Sequence, residues 1–256
     1  MDLEKERRQW QSKIDELAGM EEFKALLQEW MTMYPVLKKA NNQHLFKNRT
    51  YLFSIGDGEG FSKQVSLLAQ AITLVEETGG STTVKEIILP FETANERSKK
   101  TDTPASIAID ALRDRGAFTT GNVLLAIDIR EWMGRTESSD FRRVLEYLFE
   151  NAEGPFVFRV PLVDEKYVRE IENAIADIRN VQVVITPETT IEEYMHYARI
   201  LAKRRGITIS SDAKEALEMC LIAEKNQGNM RGFGTVKKIF NEILYQKLIQ
   251  MGKEHV

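Results

Sequence analysis

The chain has 256 residues, 43% hydrophobic and 29% charged, with 35 Lys and Arg against 39 Asp and Glu for a net charge of −4. That length can bury the core of one large domain, or of a large and a small one, and the acidic balance excludes a global attraction to nucleic acid or to an anionic membrane surface. A single cysteine, Cys220, excludes an intramolecular disulfide framework and any multi-cysteine metal site, and its helical surroundings, AKEALEMCLIA, predict a buried and inert thiol.

Along the chain, Trp10, Ile14 and Leu17, then Phe23, Leu26, Leu27 and Trp30, recur at helical spacing with a break at Gly19. Two helices joined by the turn LAGM are predicted, with Trp10 and Trp30 as packing residues. The second helix is expected to end near Tyr34-Pro35, because a proline disfavours helix in the residue before it. Lys38–Asn48 reads as a polar loop. Strands are then predicted at Tyr51–Ile55, Val84–Leu89, Val123–Ile127, Pro155–Val160 and Val181–Ile185. Helices fall between them at Ser62–Thr78, Pro104–Arg115, Asp140–Asn151 and Lys166–Ala176. Short apolar strands such as VLLAI and VQVVI, separated by helices, are what a parallel sheet covered on both faces requires. After Pro187 the pattern is helical only, at Ile191–Arg205, Ser211–Glu224 and Gly234–Met251. Thr190 and Glu193 can form a capping box, and Ser211 or Asp212 can cap the next helix. The expected organisation is an α/β domain over residues 1–186 and a helical domain over 187–256.

The stretch YLFSIGDGEGFSKQVSLLAQAI runs from an apolar strand through a glycine-rich turn into an amphipathic helix. A phosphate-binding loop reads G-x-x-x-x-G-K-[ST], and wraps phosphates with backbone N–H groups, a lysine and a Mg²⁺-holding hydroxyl. Registering its last glycine on Gly60 places Ile55 at the first glycine, Phe61 at the lysine and Ser62 at the hydroxyl. Gly56, Gly58 and Gly60 still permit a tight turn, while Asp57 and Glu59 add negative charge where an anion would lie. Lys63 lies one position beyond the lysine site and should point elsewhere on the helix.

The order of IDELAGMEEFKALLQEW, YLFSIGDGEGFS, GNVLLAIDIREWMG and GNMRGFGTVKKIFNEIL resembles AAA+ ATPases, most closely the CbxX or stage V sporulation protein K branch, over nearly the whole chain. The resemblance implies a P-loop NTPase fold: a five-stranded parallel sheet with flanking helices, then a small all-helical lid. It implies nucleotide contacts from Gly19 and Met20 of the LAGM turn, from Gly56, Gly58, Gly60, Phe61, Ser62 and Lys63, and from Arg231 of GNMR, although an ungapped count puts Gly234 at that last position. Ser62 and Asp128 match the metal-holding positions, and Arg179 matches an arginine finger offered to a neighbouring subunit. A helix-capping role for Arg179 is the competing reading. Ile129 stands where the family has its water-polarising Glu, and Leu162 where it has a polar sensor; Glu131 lies two residues beyond. The family's pore loop falls in FETANERSKKTDTPAS, with no aromatic beyond Phe91.

Loss of the Lys, Glu and sensor together implies a hydrolysis-deficient AAA+ module acting as a structural or regulatory subunit, with ATP or ADP and Mg²⁺ binding weakened. The expected partner is an active AAA+ paralogue or a second copy in a ring-like oligomer, together with a client protein, and neither a membrane nor nucleic acid. Two alternatives stand beside it: an active ATPase using Lys63, Ser62, Asp128, Glu131 and Arg179 in a displaced constellation, and a nucleotide-free scaffold in which Phe61 plugs the pocket. His44, His196 and His255 lack metal-ligand spacing. Glu21-Glu22, Glu76-Glu77 and Glu192-Glu193 fit solvated helix faces, and Lys203-Arg204-Arg205 complements a helix end. The charged opening MDLEKERRQWQSK does not resemble a secretory leader and no apolar run reaches about 18 residues, so a cytoplasmic location is expected.

Overall fold

The computed structural model describes residues 3–42, 49–76, 81–92, 103–118, 121–152 and 154–254. The chain forms two compact units: one takes in Met1–Lys24, Gly56–Phe61 and Pro187–Val256, the other Ala25–Ile55 and Ser62–Thr186.

The second unit is built on five strands, β1 (Thr50–Ile55), β2 (Thr83–Ile88), β3 (Val123–Asp128), β4 (Phe156–Val160) and β5 (Val181–Thr186). All pair in parallel, in the order β2-β3-β4-β1-β5. Every residue of β1 is buried, as a strand with neighbours on both sides and helices over both faces must be. The intervening helices are α3 (Phe61–Glu76), α4 (Pro104–Asp114), α5 (Ser139–Asn151) and α6 (Glu165–Ala176). Leu52, Ile127, Phe156 and Phe158 from the sheet form one core with Trp132, Phe141, Leu145 and Ile171.

Helix α1 (Leu3–Asp15) precedes α2 (Glu21–Lys39). Trp10 and Trp30 are both buried, as packing residues should be. The predicted stop at Tyr34-Pro35 is overturned, because α2 continues through Pro35 to Lys39. Tyr34 is buried just before the proline, whereas Val36 beyond it is 66% exposed, so the last turn of α2 runs along the surface. No helix among the described residues is long and apolar enough to cross a membrane.

The helical part of the first unit contains α7 (Ile191–Arg204), α8 (Ser211–Asn226) and α9 (Phe233–Glu254). Tyr194, Ala198, Leu201, Leu217, Leu221, Val236 and Phe240 form its core. The capping box forms as predicted, with Thr190 Oγ1 accepting from Glu193 N and Glu193 Oε2 accepting from Thr190 N. The α8 cap is Ser210, whose Oγ accepts from Ala213 N, and Ser211 is already the first helical residue. Cys220 is exposed, contrary to expectation. Helix α8 carries apolar residues around much of its circumference, so periodicity does not select a buried face; only Leu217 and Leu221 are buried.

Candidate functional site

The glycine-rich turn belongs to the helical unit, and its neighbours there are specific. Gly58 and Gly60 have φ of +81° and +92°, the left-handed region that lets the chain reverse between β1 and α3. The Gly58 carbonyl accepts from Phe233 N at 3.2 Å, at the start of α9. Backbone approaches backbone here: a Cβ on Gly58 would lie 2.4 Å from Arg231 O, and one on Gly232 would lie 2.3 Å from Gly58 O. Gly60 is closed by side chains, since a Cβ on it would meet Met20 Cε at 2.5 Å and the Phe233 ring at 3.8 Å. The same ring makes edge contacts with Tyr194 and Tyr197, at centroid distances of 5.4 and 4.9 Å.

Glu59 turns inward from this loop and is buried. Its Oε1 accepts from the Tyr194 hydroxyl at 2.6 Å, and its Oε2 accepts from the Thr189 hydroxyl. Burial, reinforced by the hydrogen bond to Glu59, raises the Tyr194 phenol above its ordinary range and keeps it a donor. Neither Tyr194 nor Thr189 was singled out in the sequence. They lie 135 and 130 residues from Glu59, and their only local signal is the capping-box segment that begins α7.

Of the nucleotide-contact candidates, the helical unit thus gathers Met20, Gly58, Gly60 and the Arg231 backbone. Gly19 is in left-handed backbone, with Glu193 2.7 Å from a notional Cβ, and Gly56 accepts from Glu59 N at 3.4 Å. The Arg231 side chain is exposed, while its backbone N–H donates to Thr235 Oγ1. Phe61 is buried at the first position of α3.

In the sheet unit, Asp128 ends β3 beside Arg159 of β4, the two being register partners. Its carboxylate is gripped by two guanidinium groups. Arg130 donates from Nη2 to Oδ2 at 2.6 Å and from Nε to both oxygens, and its backbone N donates to Oδ1 at 3.1 Å. Arg159 Nη1 donates to Oδ2 at 2.9 Å. Both side chains of the Asp128–Arg159 pair are about nine-tenths buried, so these are charge-assisted contacts in a weakly screened setting. Arg159, 31 residues from Asp128, reaches it through strand register, and Arg130 reaches it from the short turn that follows β3, so no sequence motif marks either.

The remaining candidates are also engaged. Ser62 Oγ donates to Glu86 Oε2 at 3.2 Å, and Lys63 is exposed on α3. Ile129 is fully buried. Glu131 Oε2 accepts from Phe91 N at 2.9 Å, and Phe91 packs edge-on to Trp132. Leu162 is 38% exposed after β4. Arg179 lies over the Phe149 and Phe156 rings at 5.4 and 5.1 Å, and burial lowers its pKa. Its backbone N–H bonds to Ile175 O at the end of α6. Most of the predicted pore loop, His44 and His255 lie outside the described residues; His196 is exposed.

A Mg²⁺–nucleotide does not fit the groups as they stand. In the sheet unit both Asp128 oxygens face guanidinium donors and Ser62 faces Glu86. In the helical unit a buried carboxylate projects from the turn, with no lysine at its end.

No protein-family model and no curated protein sequence matches the chain. Solved structures do resemble it. The S. cerevisiae Hsp104–ADP complex matches with a TM-score of 0.51 and 10% identity over 99% of this chain and 49% of that one. A Thermotoga maritima RuvB mutant gives 0.48 and 13% over 80% and 58%, and domain III of the T. maritima replication initiation protein DnaA gives 0.38 and 10% over 83% and 91%. The chain therefore spans about half the length of the Hsp104 chain it resembles. With its five-stranded parallel sheet, flanking helices and following helical part, the chain has the AAA+ P-loop NTPase fold.

Proposed function

We propose that this chain is a hydrolysis-deficient AAA+ module of the CbxX or stage V sporulation protein K type, serving as a structural or regulatory subunit of a ring-like oligomer. Its neighbours in that ring are an active AAA+ paralogue or its own copies, and it helps to hold a client protein. The observation that carries this reading is Asp128: the one acidic residue kept from the hydrolytic pair is neutralised by Arg130 and Arg159. Hydrolysis at such a site needs a carboxylate open to Mg²⁺ and a second one to orient water. The first is taken up by arginine and the second position holds buried Ile129.

Steady-state ATP hydrolysis by the purified chain, with Asp128→Ala as control, tests the proposal. The expected rate is the same for both proteins and near background. A rate well above background that vanishes in the Asp128→Ala variant would overturn it.

The nucleotide-free scaffold is supported by one separate observation. The glycine turn is occupied by contacts from its own unit, through the Phe233 N–H to Gly58 and the Glu59 carboxylate to Tyr194 and Thr189.

A further inference from the structure

We infer that Glu59 is the residue that sets the ligand specificity of the glycine turn: held by Tyr194 and Thr189, its carboxylate is a built-in anion that excludes phosphate. The inference rests on reading the turn as the descendant of a phosphate loop, and it assigns the loss of phosphate binding to one side chain rather than to the missing lysine alone.

A phosphate loop works because its backbone N–H groups and the following helix N-terminus present positive potential to an anion. Here the loop supplies its own negative charge. Glu59 is 8% exposed, and its two oxygens are each satisfied by a hydroxyl donor that is itself 2% or 5% exposed. A buried carboxylate with a donor on each oxygen is not a side chain that swings aside freely, since removing those donors would leave a charge desolvated and unpaired. Tyr194 and Thr189 thus act as positioning residues. They fix the acid from two points, one on α7 and one just ahead of its cap.

The backbone interlock holds the same arrangement from the other side. Gly58 and Gly232 approach so closely that neither tolerates a Cβ, and the Phe233 N–H engages the Gly58 carbonyl. Met20 and Phe233 close over Gly60. An incoming phosphate would meet both a fixed negative charge and a turn already engaged by its own unit. The lock has a release direction: neutralising or removing the acid leaves the glycine backbone of the turn in place.

The test is calorimetric titration of the full chain with ADP, pyrophosphate and adenosine. The proteins are wild type, Glu59→Ala, Glu59→Gln and Tyr194→Phe, each checked for native circular dichroism. Glu59→Gln preserves volume and keeps one acceptor oxygen, with its amide donating to the other hydroxyl oxygen, and so covers the case in which the alanine variant does not fold. The expected result is at least a tenfold gain in affinity for ADP and pyrophosphate in Glu59→Ala and Glu59→Gln, a smaller gain in Tyr194→Phe, and no gain for adenosine. Folded Glu59 variants that bind pyrophosphate no more tightly than wild type would overturn the inference, as would a gain shared equally by adenosine, which signals loosened packing. Neither outcome bears on hydrolysis, because binding gained by the Glu59 variants does not restore Asp128 or Ile129.

Discussion

Asp128 faces two guanidinium groups, and that decides what its removal does. Arg159 keeps only 11% of its side chain exposed, so replacing Asp128 takes away the carboxylate that faces a largely buried cation. Breaking such a pair from one side costs about 3 kcal/mol. Asp128→Asn should therefore lower unfolding free energy by about 3 kcal/mol in urea titrations, whereas Arg130→Ala, at a side chain one-third exposed, should cost only about 1 kcal/mol. A poised catalytic carboxylate behaves oppositely, since active-site acids are held at a cost to stability and their neutralisation tends to stabilise. The sign of the Asp128→Asn effect thus separates a structural acid from a metal-holding one. The sequence made Asp128 legible as a candidate, because it ends an apolar strand. It could not show the arginines, since Arg159 reaches Asp128 only through the β3–β4 register, and Arg130 only because the chain folds back into a short 3₁₀ turn at Arg130–Trp132.

Element ends show which local signals carry through. Strand limits fall within a residue of expectation because apolar runs bounded by glycine and polar clusters are local features. Thr190 is a second local feature that holds, and it allows a direct test. Thr190→Ala removes the acceptor for Glu193 N and should destabilise the protein by about 1 kcal/mol, with Thr190→Ser retaining most of the stability. Helix content by circular dichroism and the urea midpoint check it together. Where local signals failed, a non-local term had taken over. Pro35 sits inside α2 with Tyr34 buried before it, and Cys220 is exposed because α8 carries apolar residues around much of its circumference, so periodicity selects no one face. The α8 cap fell one residue earlier than expected, at Ser210, in a run of serines where composition alone does not single out the capping residue.

At the scale of the whole chain, the sheet order and the long-range lock on the turn were beyond local pattern. β1 pairs with β4 and β5, each more than a hundred residues away, and Glu59 meets partners equally distant. Both follow from topology, which the alternation of elements narrows to a parallel sheet without ordering its strands. The global readout of a closed site is ligand linkage. A ligand that binds only the folded chain raises stability by RT ln(1 + [L]/Kd), so about 1 mM Mg–ADP with a Kd of about 0.1 mM would add about 1.4 kcal/mol. Wild type should show no such gain, its urea midpoint with about 1 mM Mg–ADP matching that without to within about 0.3 kcal/mol. A clear upward shift would mean that the folded chain admits nucleotide despite Glu59. No shift, with hydrolysis also absent, is the result expected of the hydrolysis-deficient module proposed above, whose Asp128 is engaged by Arg130 and Arg159 and whose Glu59 is engaged by Tyr194 and Thr189.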